Sequence, residues 1–242
     1  LSCIEQYVEG RITNYIRGEI FNKIAQASPE AARAISTYNQ IKGYIDQGAS
    51  IINELGIDEN GQVKQGIIDF NEKEYSLKSF FSNPIEEDIV VSNAKYDFLK
   101  KEVTMKENGL LTLKFKDENG TEKDFVFKDM KSGGRFRFND IGSIEEARFV
   151  SGKNNSVYEF PGFDKIVAQE NTEIIYQNGI ITVKENEFLY NGILVQSLGK
   201  ISRYVQIKGN SVTCAECKVG DIYLRKLGAV PASVDILNEG FL

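Results

Sequence analysis

Asn-Gly pairs recur along the chain and restrict its backbone more than any other feature. They occur at residues 108–109, 178–179 and 191–192, and twice more within the tetrapeptide Asp-Glu-Asn-Gly, at 58–61 and 117–120. Asn and Gly tolerate the positive φ angles that tight hairpin turns require. Short runs of alternating apolar and polar residues lie between these pairs, and this alternation predicts β-strands.

The predicted strands are only a handful of residues long and come about every ten residues. They are residues 111–116, 125–127, 135–138, 157–160, 173–176, 180–183, 188–190, 193–195, 204–207, 211–214 and 221–224. Short strands with Gly or Asn at the corners are typical of a β-solenoid, whose coil faces are narrow. We therefore predict a short β-solenoid, with a β-sandwich as the alternative.

The first 56 residues show helical rather than strand periodicity. Apolar residues recur every three or four positions from Ile4 to Ile24. Ser28-Pro29-Glu30 is a helix start, and the second apolar series ends at Leu55 and Gly56. The prediction is an α+β chain, with an α-helical hairpin over residues 1–56 and a β-rich domain over 57–242. The hairpin would cap the solenoid or mediate oligomerisation.

The composition excludes several classes of function. The chain contains no histidine, which removes the commonest general base and the commonest ligand of transition metals. A net charge of -6 and the lack of a dense Lys/Arg cluster argue against nucleic-acid binding. No apolar run is long enough for a transmembrane helix, so a soluble protein is expected. We expect no cofactor.

Cys214 and Cys217 form the most specific motif, a C-x-x-C at the end of a predicted strand. A zinc site would need two further ligands, and Cys3 is the remaining cysteine. A redox pair of the thioredoxin type requires a helix start in a βαβ unit, which the surrounding sequence does not predict. A disulfide or a pair of buried thiols is the favoured interpretation, and no metal site is predicted.

The acidic residues do not define a catalytic pair. Glu145-Glu146 lies in a predicted exposed turn, and a glycosidase requires two carboxylates that face each other. The Asp-Glu-Asn-Gly tetrapeptides offer oxygen ligands for calcium, but the acid that would close an EF-hand loop falls on Lys128. A tight turn is the favoured interpretation of both tetrapeptides.

Lys131-Ser132-Gly133-Gly134-Arg135 combines cations with glycines and could hold a phosphate or sulfate. It lacks the spacing of a P-loop. Arg135 and Arg137 alternate with Phe136 and Phe138, as on a half-buried strand. We predict a contact with an anion or a partner at Lys131, Arg135 and Arg137, and no catalytic residue.

Residues 105–225 show a rhythm carried by KSGGRFRFNDIGSIEEARFVSG and VYEFPGFDKIVAQENTEIIYQNGIITVKENEF. This rhythm resembles the imperfect β-repeats of large secreted proteins of uncultivated archaea and bacteria. The resemblance implies an extracellular or cell-surface scaffold and carries no catalytic residue.

These observations predict a non-enzymatic structural or adhesion module of a secreted or surface protein, with a protein partner or self-association. The alternative is a β-solenoid that binds a polysaccharide or cleaves it with carboxylates. Leu1 is not an initiator methionine, and the chain stops in the strand-like VDILNEGFL. We expect a processed chain or a segment of a longer protein.

Overall fold

The computed structural model describes residues 39–51, 67–81, 87–185, 187–199, 204–227 and 230–236. Nineteen strands are assigned in these residues. They are β1 Ser50–Ile51, β2 Ile67–Phe70, β3 Tyr75–Ser76, β4 Glu87–Asp97, β5 Glu102–Lys116, β6 Glu122–Phe127, β7 Arg135–Phe138, β8 Ile144–Val150, β9 Ser156–Tyr158, β10 Ile166–Ala168, β11 Glu173–Gln177, β12 Ile180–Lys184, β13 Glu187–Tyr190, β14 Ile193–Ser197, β15 Tyr204–Lys208, β16 Ser211–Cys214, β17 Glu216–Val219, β18 Ile222–Arg225 and β19 Ala232–Asp235.

The chain divides into two compact units. The first unit comprises residues 1–75 and 92–103, and the second comprises residues 76–91 and 104–242. Strands β4 and β5 each contribute residues to both units. Among the described residues, no helix is long and apolar enough to cross a membrane.

In the first unit, a helix over residues 39–46 is followed by a turn at Gly48. Gly48 adopts a φ of 109°, and its N–H donates to the Ile45 carbonyl at 2.9 Å. A residue with positive φ turns the chain away from the helix axis, which suits glycine. Strand β1 follows at once and pairs antiparallel with β2, which in turn pairs with β4.

Three aromatic rings pack against one another in the core of this unit. The centroid of Phe70 lies 5.4 Å from that of Tyr44 and 4.7 Å from that of Tyr75. The buried Tyr75 hydroxyl donates to Asn71 Oδ1 at 2.9 Å, and Asn71 Nδ2 donates to the Gly48 carbonyl at 3.1 Å. These bonds tie β2 and β3 to the residue that ends the helix.

The second unit alternates hairpins between two antiparallel sheets. The hairpins β7–β8, β11–β12 and β15–β16 belong to the larger sheet. The hairpins β9–β10, β13–β14 and β17–β18 form the smaller, six-stranded sheet. Each hairpin pairs with the previous hairpin of its own sheet, as β11 does with β8 and β13 does with β10. Neither sheet closes on itself.

The inner faces of the two sheets supply the core of this unit. Fully buried residues of the larger sheet include Phe136, Ile174, Ile181, Val183, Val205, Ile207 and Val212. Those of the smaller sheet include Tyr158, Ile166, Ala168, Phe188, Tyr190, Val195, Cys217 and Val219. Every second residue is buried in strands β7, β9, β10, β12, β13, β15, β16 and β17, as expected for sheets with one face covered.

The predicted fold, a helical hairpin followed by a short β-solenoid, is wrong. The first predicted helix, 4–26, lies outside the described residues. The second was predicted to extend to Leu55, but the described helix stops before Gly48, and residues 50–51 are a strand. The second unit is rich in antiparallel β-structure, and its two sheets fit the β-sandwich alternative.

The Asn-Gly pairs explain why the solenoid prediction failed. At Asn178-Gly179 and Asn191-Gly192 all four residues have positive φ, between 49° and 75°. The flanking residues are paired, Gln177 with Ile180 and Tyr190 with Ile193. These are two-residue hairpin loops of the type I′ kind, which make neighbouring strands antiparallel. Solenoid corners would have left the strands of successive coils stacked instead.

The other Asn-Gly pairs have different roles. Asn108-Gly109 lies within strand β5, with φ of 57° at Asn108, so it is not a hairpin turn. Asp117 to Gly120 joins β5 to β6, and Asp117 Oδ1 accepts from the N–H groups of Asn119 and Thr121 at 2.9 and 2.8 Å. The 117–120 tetrapeptide is therefore a turn, whereas the 58–61 tetrapeptide lies outside the described residues.

Candidate interaction surfaces

Cys214 and Cys217 form a disulfide in the structure. Both residues are buried, with exposed fractions of 2% and 0%. Cys214 ends β16 in the larger sheet, and Cys217 lies on β17 in the smaller sheet. The bond therefore spans the point where the chain passes from one sheet to the other. Cys3, the third ligand considered for a zinc site, lies outside the described residues.

The acidic pair Glu145-Glu146 is held by an arginine. Arg137 Nη1 forms an ion pair with Glu145 Oε2, and Arg137 Nη2 lies 3.1 Å from Glu146 Oε1. Hydrogen bonding to Glu146 raises the pKa of the Arg137 guanidinium. Within the described residues, no group of three or more His, Cys, Asp or Glu side chains is placed to hold a metal ion.

The three predicted anion contacts are not equivalent: Arg135 and Arg137 lie on β7 of the larger sheet, and Lys131 lies in the loop that precedes it. Lys131 and Arg135 line a pocket of about 190 Å³ together with Arg148 and Glu173. Lys131 Nζ donates to Asn171 Oδ1. Arg137, two residues along β7 from Arg135, is engaged by Glu145 and Glu146 and does not line this pocket. The structure thus brings two of the three cations together.

Backbone geometry and packing explain why the two positions beside this pocket are glycines. A Cβ on Gly134 would lie 2.9 Å from Phe149 Cβ and 3.0 Å from Met130 Sδ, so a side chain does not fit there. Gly133 has a φ of 94°, which disfavours other residues. The glycines allow the loop to approach β8 closely, and the local chemistry comes from the cations that flank them.

The outer face of the smaller sheet carries a row of four apolar side chains. Val157, Val167, Leu189 and Leu194 are successive cross-strand partners on β9, β10, β13 and β14. Val157 is 47% exposed and Leu194 is 39% exposed, while Val167 and Leu189 are half-buried. Directly opposed residues have Cβ atoms about 5 Å apart, so the four side chains form one continuous stripe. We call it the apolar row.

A second row on the same face is polar and carries both signs of charge. Glu187, Gln196, Lys218 and Tyr223 are cross-strand partners on β13, β14, β17 and β18. Gln196 Nε2 lies 3.5 Å from Glu187 Oε2, and the Tyr223 hydroxyl donates to Glu216. Lys218 makes no ion pair with any described residue.

Sequence reasoning missed Arg148, Glu173 and the apolar row. Arg148 and Arg135 are 13 residues apart and come together only through the β7–β8 register. The apolar row draws one residue from each of four strands. Its one local signal is that Val167, Leu189 and Leu194 occupy positions where strict alternation predicts a polar residue.

In comparisons with known proteins, no family model, no curated protein and no solved structure matches the chain.

Proposed function

We propose that this chain is a non-enzymatic structural or adhesion module that associates weakly with a second copy of itself through the outer face of the smaller sheet. The observation that carries the proposal is the apolar row. Apolar side chains aligned over neighbouring strands are stabilised when they leave water, at about 25 cal/mol per Å² of buried apolar area. A contiguous apolar surface of this kind is typical of an interaction site.

The polar row supports a second copy as the partner. Glu187 and Lys218 lie one strand to either side of Gln196. A two-fold axis along β14, between two face-to-face sheets, would bring Glu187 of each copy over Lys218 of the other. The same axis would bring Leu194 against its own symmetry mate. The polar row is therefore self-complementary about this axis, as a two-fold interface requires. Of the apolar row, Leu194 meets its own copy, and Leu189 lies over Gly220 of the second copy.

The expected association is weak. Strands lie about 4.8 Å apart, so the four strands of the apolar row span roughly 14 Å. A patch of this size buries less than the roughly 1,600 Å² of a standard stable interface. Weak contacts of this kind add up when several copies are displayed together, which suits an adhesion or scaffold role. The disulfide suits an oxidising location, and we propose that the module is extracellular or on the cell surface.

Sedimentation equilibrium over a range of protein concentrations tests the proposal. The wild type is expected to show a reversible monomer–dimer equilibrium, and Leu194→Lys is expected to shift it to monomer. Tyr204→Lys is the matched control, because Tyr204 is 38% exposed and lies on β15 of the larger sheet. A monomeric wild type at every concentration, or an equal loss in both variants, would refute the proposal.

Charge reversal tests the two-fold arrangement separately. Glu187→Lys and Lys218→Glu are each expected to weaken the dimer, because like charges would then face each other across the interface. The variant that carries both changes is expected to recover the wild-type equilibrium. If the double variant is as weak as the single variants, the sheets do not pack in this register, whatever the outcome for Leu194.

A further inference from the structure

We infer that the pocket beside the Lys131–Arg135 loop is an oxyanion site that takes a sulfate or phosphate group. Its lining includes three cations, Lys131, Arg135 and Arg148, and one carboxylate, Glu173, which leaves a local charge of +2. The whole chain carries -6. A positive pocket on an acidic chain concentrates anions at that point of the surface. Ser132 also lines the pocket, and a serine hydroxyl can donate a hydrogen bond to an anion.

The register of the sheet places two arginines directly opposite each other. Arg135 on β7 pairs with Arg148 on β8, and both side chains are exposed on the outer face. Like charges at directly opposed positions destabilise a sheet. An anion bound between the two guanidinium groups would remove that repulsion, and guanidinium groups bind sulfate and phosphate through paired hydrogen bonds.

The carboxylate in the pocket pairs with Arg148, which also lines the pocket, and with Lys184, which does not. Glu173 Oε1 lies 2.9 Å from Arg148 Nη2 and 3.7 Å from Lys184 Nζ. Arg135, in contrast, forms no ion pair with any described residue. Arg135 is therefore the lining cation that we expect an external anion to contact most strongly, and Lys131 lines the same pocket from the preceding loop.

Calorimetric titration with sodium sulfate and with sodium phosphate at constant ionic strength tests the inference. The wild type is expected to bind both ions with 1:1 stoichiometry. Arg135→Ala is expected to lose at least about tenfold in affinity, because a charge-assisted hydrogen-bond pair is removed. Arg135→Lys retains the charge but not the fork and is expected to fall between the two.

Arg137→Ala is the matched control, because it removes an arginine from the same face of the same strand, one that is held by Glu145 and Glu146. It is expected to retain wild-type affinity. An equal loss in Arg135→Ala and Arg137→Ala would show only general charge screening and would overturn the inference. Absence of binding by the wild type would overturn it as well. Thermal melts of each variant establish that the fold is intact.

Two matched esters identify the source of the bound group. Glucose 6-sulfate and glucose 6-phosphate present the two oxyanions on the same sugar. The ester that binds more tightly than its free ion indicates whether a sulfated glycan or a phosphorylated ligand is the natural occupant. This site lies on the larger sheet, so its outcome is independent of the dimer proposed through the smaller sheet.

Discussion

The Cys214–Cys217 disulfide joins the two sheets of the second unit at the point where the chain crosses between them. Cys214 is paired in the larger sheet with Val205 and Ala232. Cys217 is paired in the smaller sheet with Ser197 and Leu224. The bond thus adds a covalent link between two sheets that also contact through side-chain packing and through hydrogen bonds such as that from the Tyr190 hydroxyl to the Gly209 carbonyl. Because both cysteines are buried, we expect this disulfide to stabilise the fold rather than to exchange with external thiols.

Removal of this disulfide is expected to lower the free energy of unfolding by about 2 kcal/mol, the value for a very short closed loop. Urea denaturation of the wild type with and without reductant measures the change. The Cys214→Ala, Cys217→Ala double variant is the control, because its stability should not respond to reductant. A wild type that is equally stable in both conditions would show that the bond does not stabilise the fold.

Alkaline pH is expected to destabilise the protein through Tyr158. Burial raises the pKa of Tyr158 to about 12, whereas an unfolded tyrosine ionises near pH 10. Between these values the unfolded state binds fewer protons, so the stability that is complete below about pH 10 is lost as pH rises towards 12. The expected slope from this residue is up to about 1.4 kcal/mol per pH unit.

Denaturation of wild type and Tyr158→Phe between neutral and alkaline pH measures this slope. The variant is expected to be less stable at neutral pH, since the Tyr158 hydroxyl donates to the Asp129 carbonyl at 3.0 Å, but to lose less stability above pH 10. Phe160→Leu controls for simple destabilisation and should retain the wild-type slope. A Cys3→Ser background prevents thiolate attack on the disulfide. Parallel curves for Tyr158→Phe and wild type would contradict the assignment.

Ser197→Ala is expected to stabilise the protein by about 1 kcal/mol. The Ser197 Oγ atom is buried and has no hydrogen-bond partner in the described residues. A buried hydroxyl without a partner carries an uncompensated cost of desolvation. Ser156→Ala is the control with the opposite sign, because Ser156 Oγ donates to the Lys153 carbonyl at 2.7 Å. Chemical denaturation compares the two, and a loss of stability in Ser197→Ala would contradict the expectation.

Gly179→Ala and Gly192→Ala are each expected to cost about 1–2 kcal/mol, because an L-residue is disfavoured at positive φ. Their φ angles are 71° and 75°, and an added Cβ would meet no atom within 4 Å, so the cost comes from the backbone alone. Gly43→Ala provides the comparison. Gly43 lies in the helix over residues 39–46 with open space around it, and alanine there is expected to stabilise.

Thermal denaturation of the three variants measures these changes. Equal effects at Gly179 and Gly43 would show that the hairpin turns do not depend on their backbone conformation.

Local pattern located many of the strands and placed the end of the second predicted helix too late. The run Ile180–Val183 lies within β12, and Ser211–Cys214 coincides with β16, because alternation along one strand directly encodes which face is buried. The apolar spacing of the helix before Gly48 continues past the end of that helix. The helix nevertheless ends there, because Gly48 has a positive φ and the next residues, Ser50–Ile51, pair with β2 as a strand. Helical periodicity does not reveal a nearby strand that competes for the same backbone.

The candidate surfaces were only partly visible in the sequence. Lys131 and Arg135 lie close together in the chain and could be singled out as cations of one loop. Arg148 could not, because its place opposite Arg135 depends on the register between β7 and β8. The same register places Glu146 opposite Arg137, and the resulting ion pair keeps Arg137 out of the pocket.

The residues alone therefore establish a series of short strands separated by tight turns, because Asn-Gly turns and alternation act within a few residues, whereas the antiparallel pairing of these strands came from the structure. They also establish the cysteine pair, whose members are close enough in the chain to meet. The sharing of hairpins between two sheets, the pairing of the two arginines and the apolar row were decided by tertiary structure. Each of these depends on which strands become neighbours, and that is set by the burial of both inner faces together, a property of the whole unit.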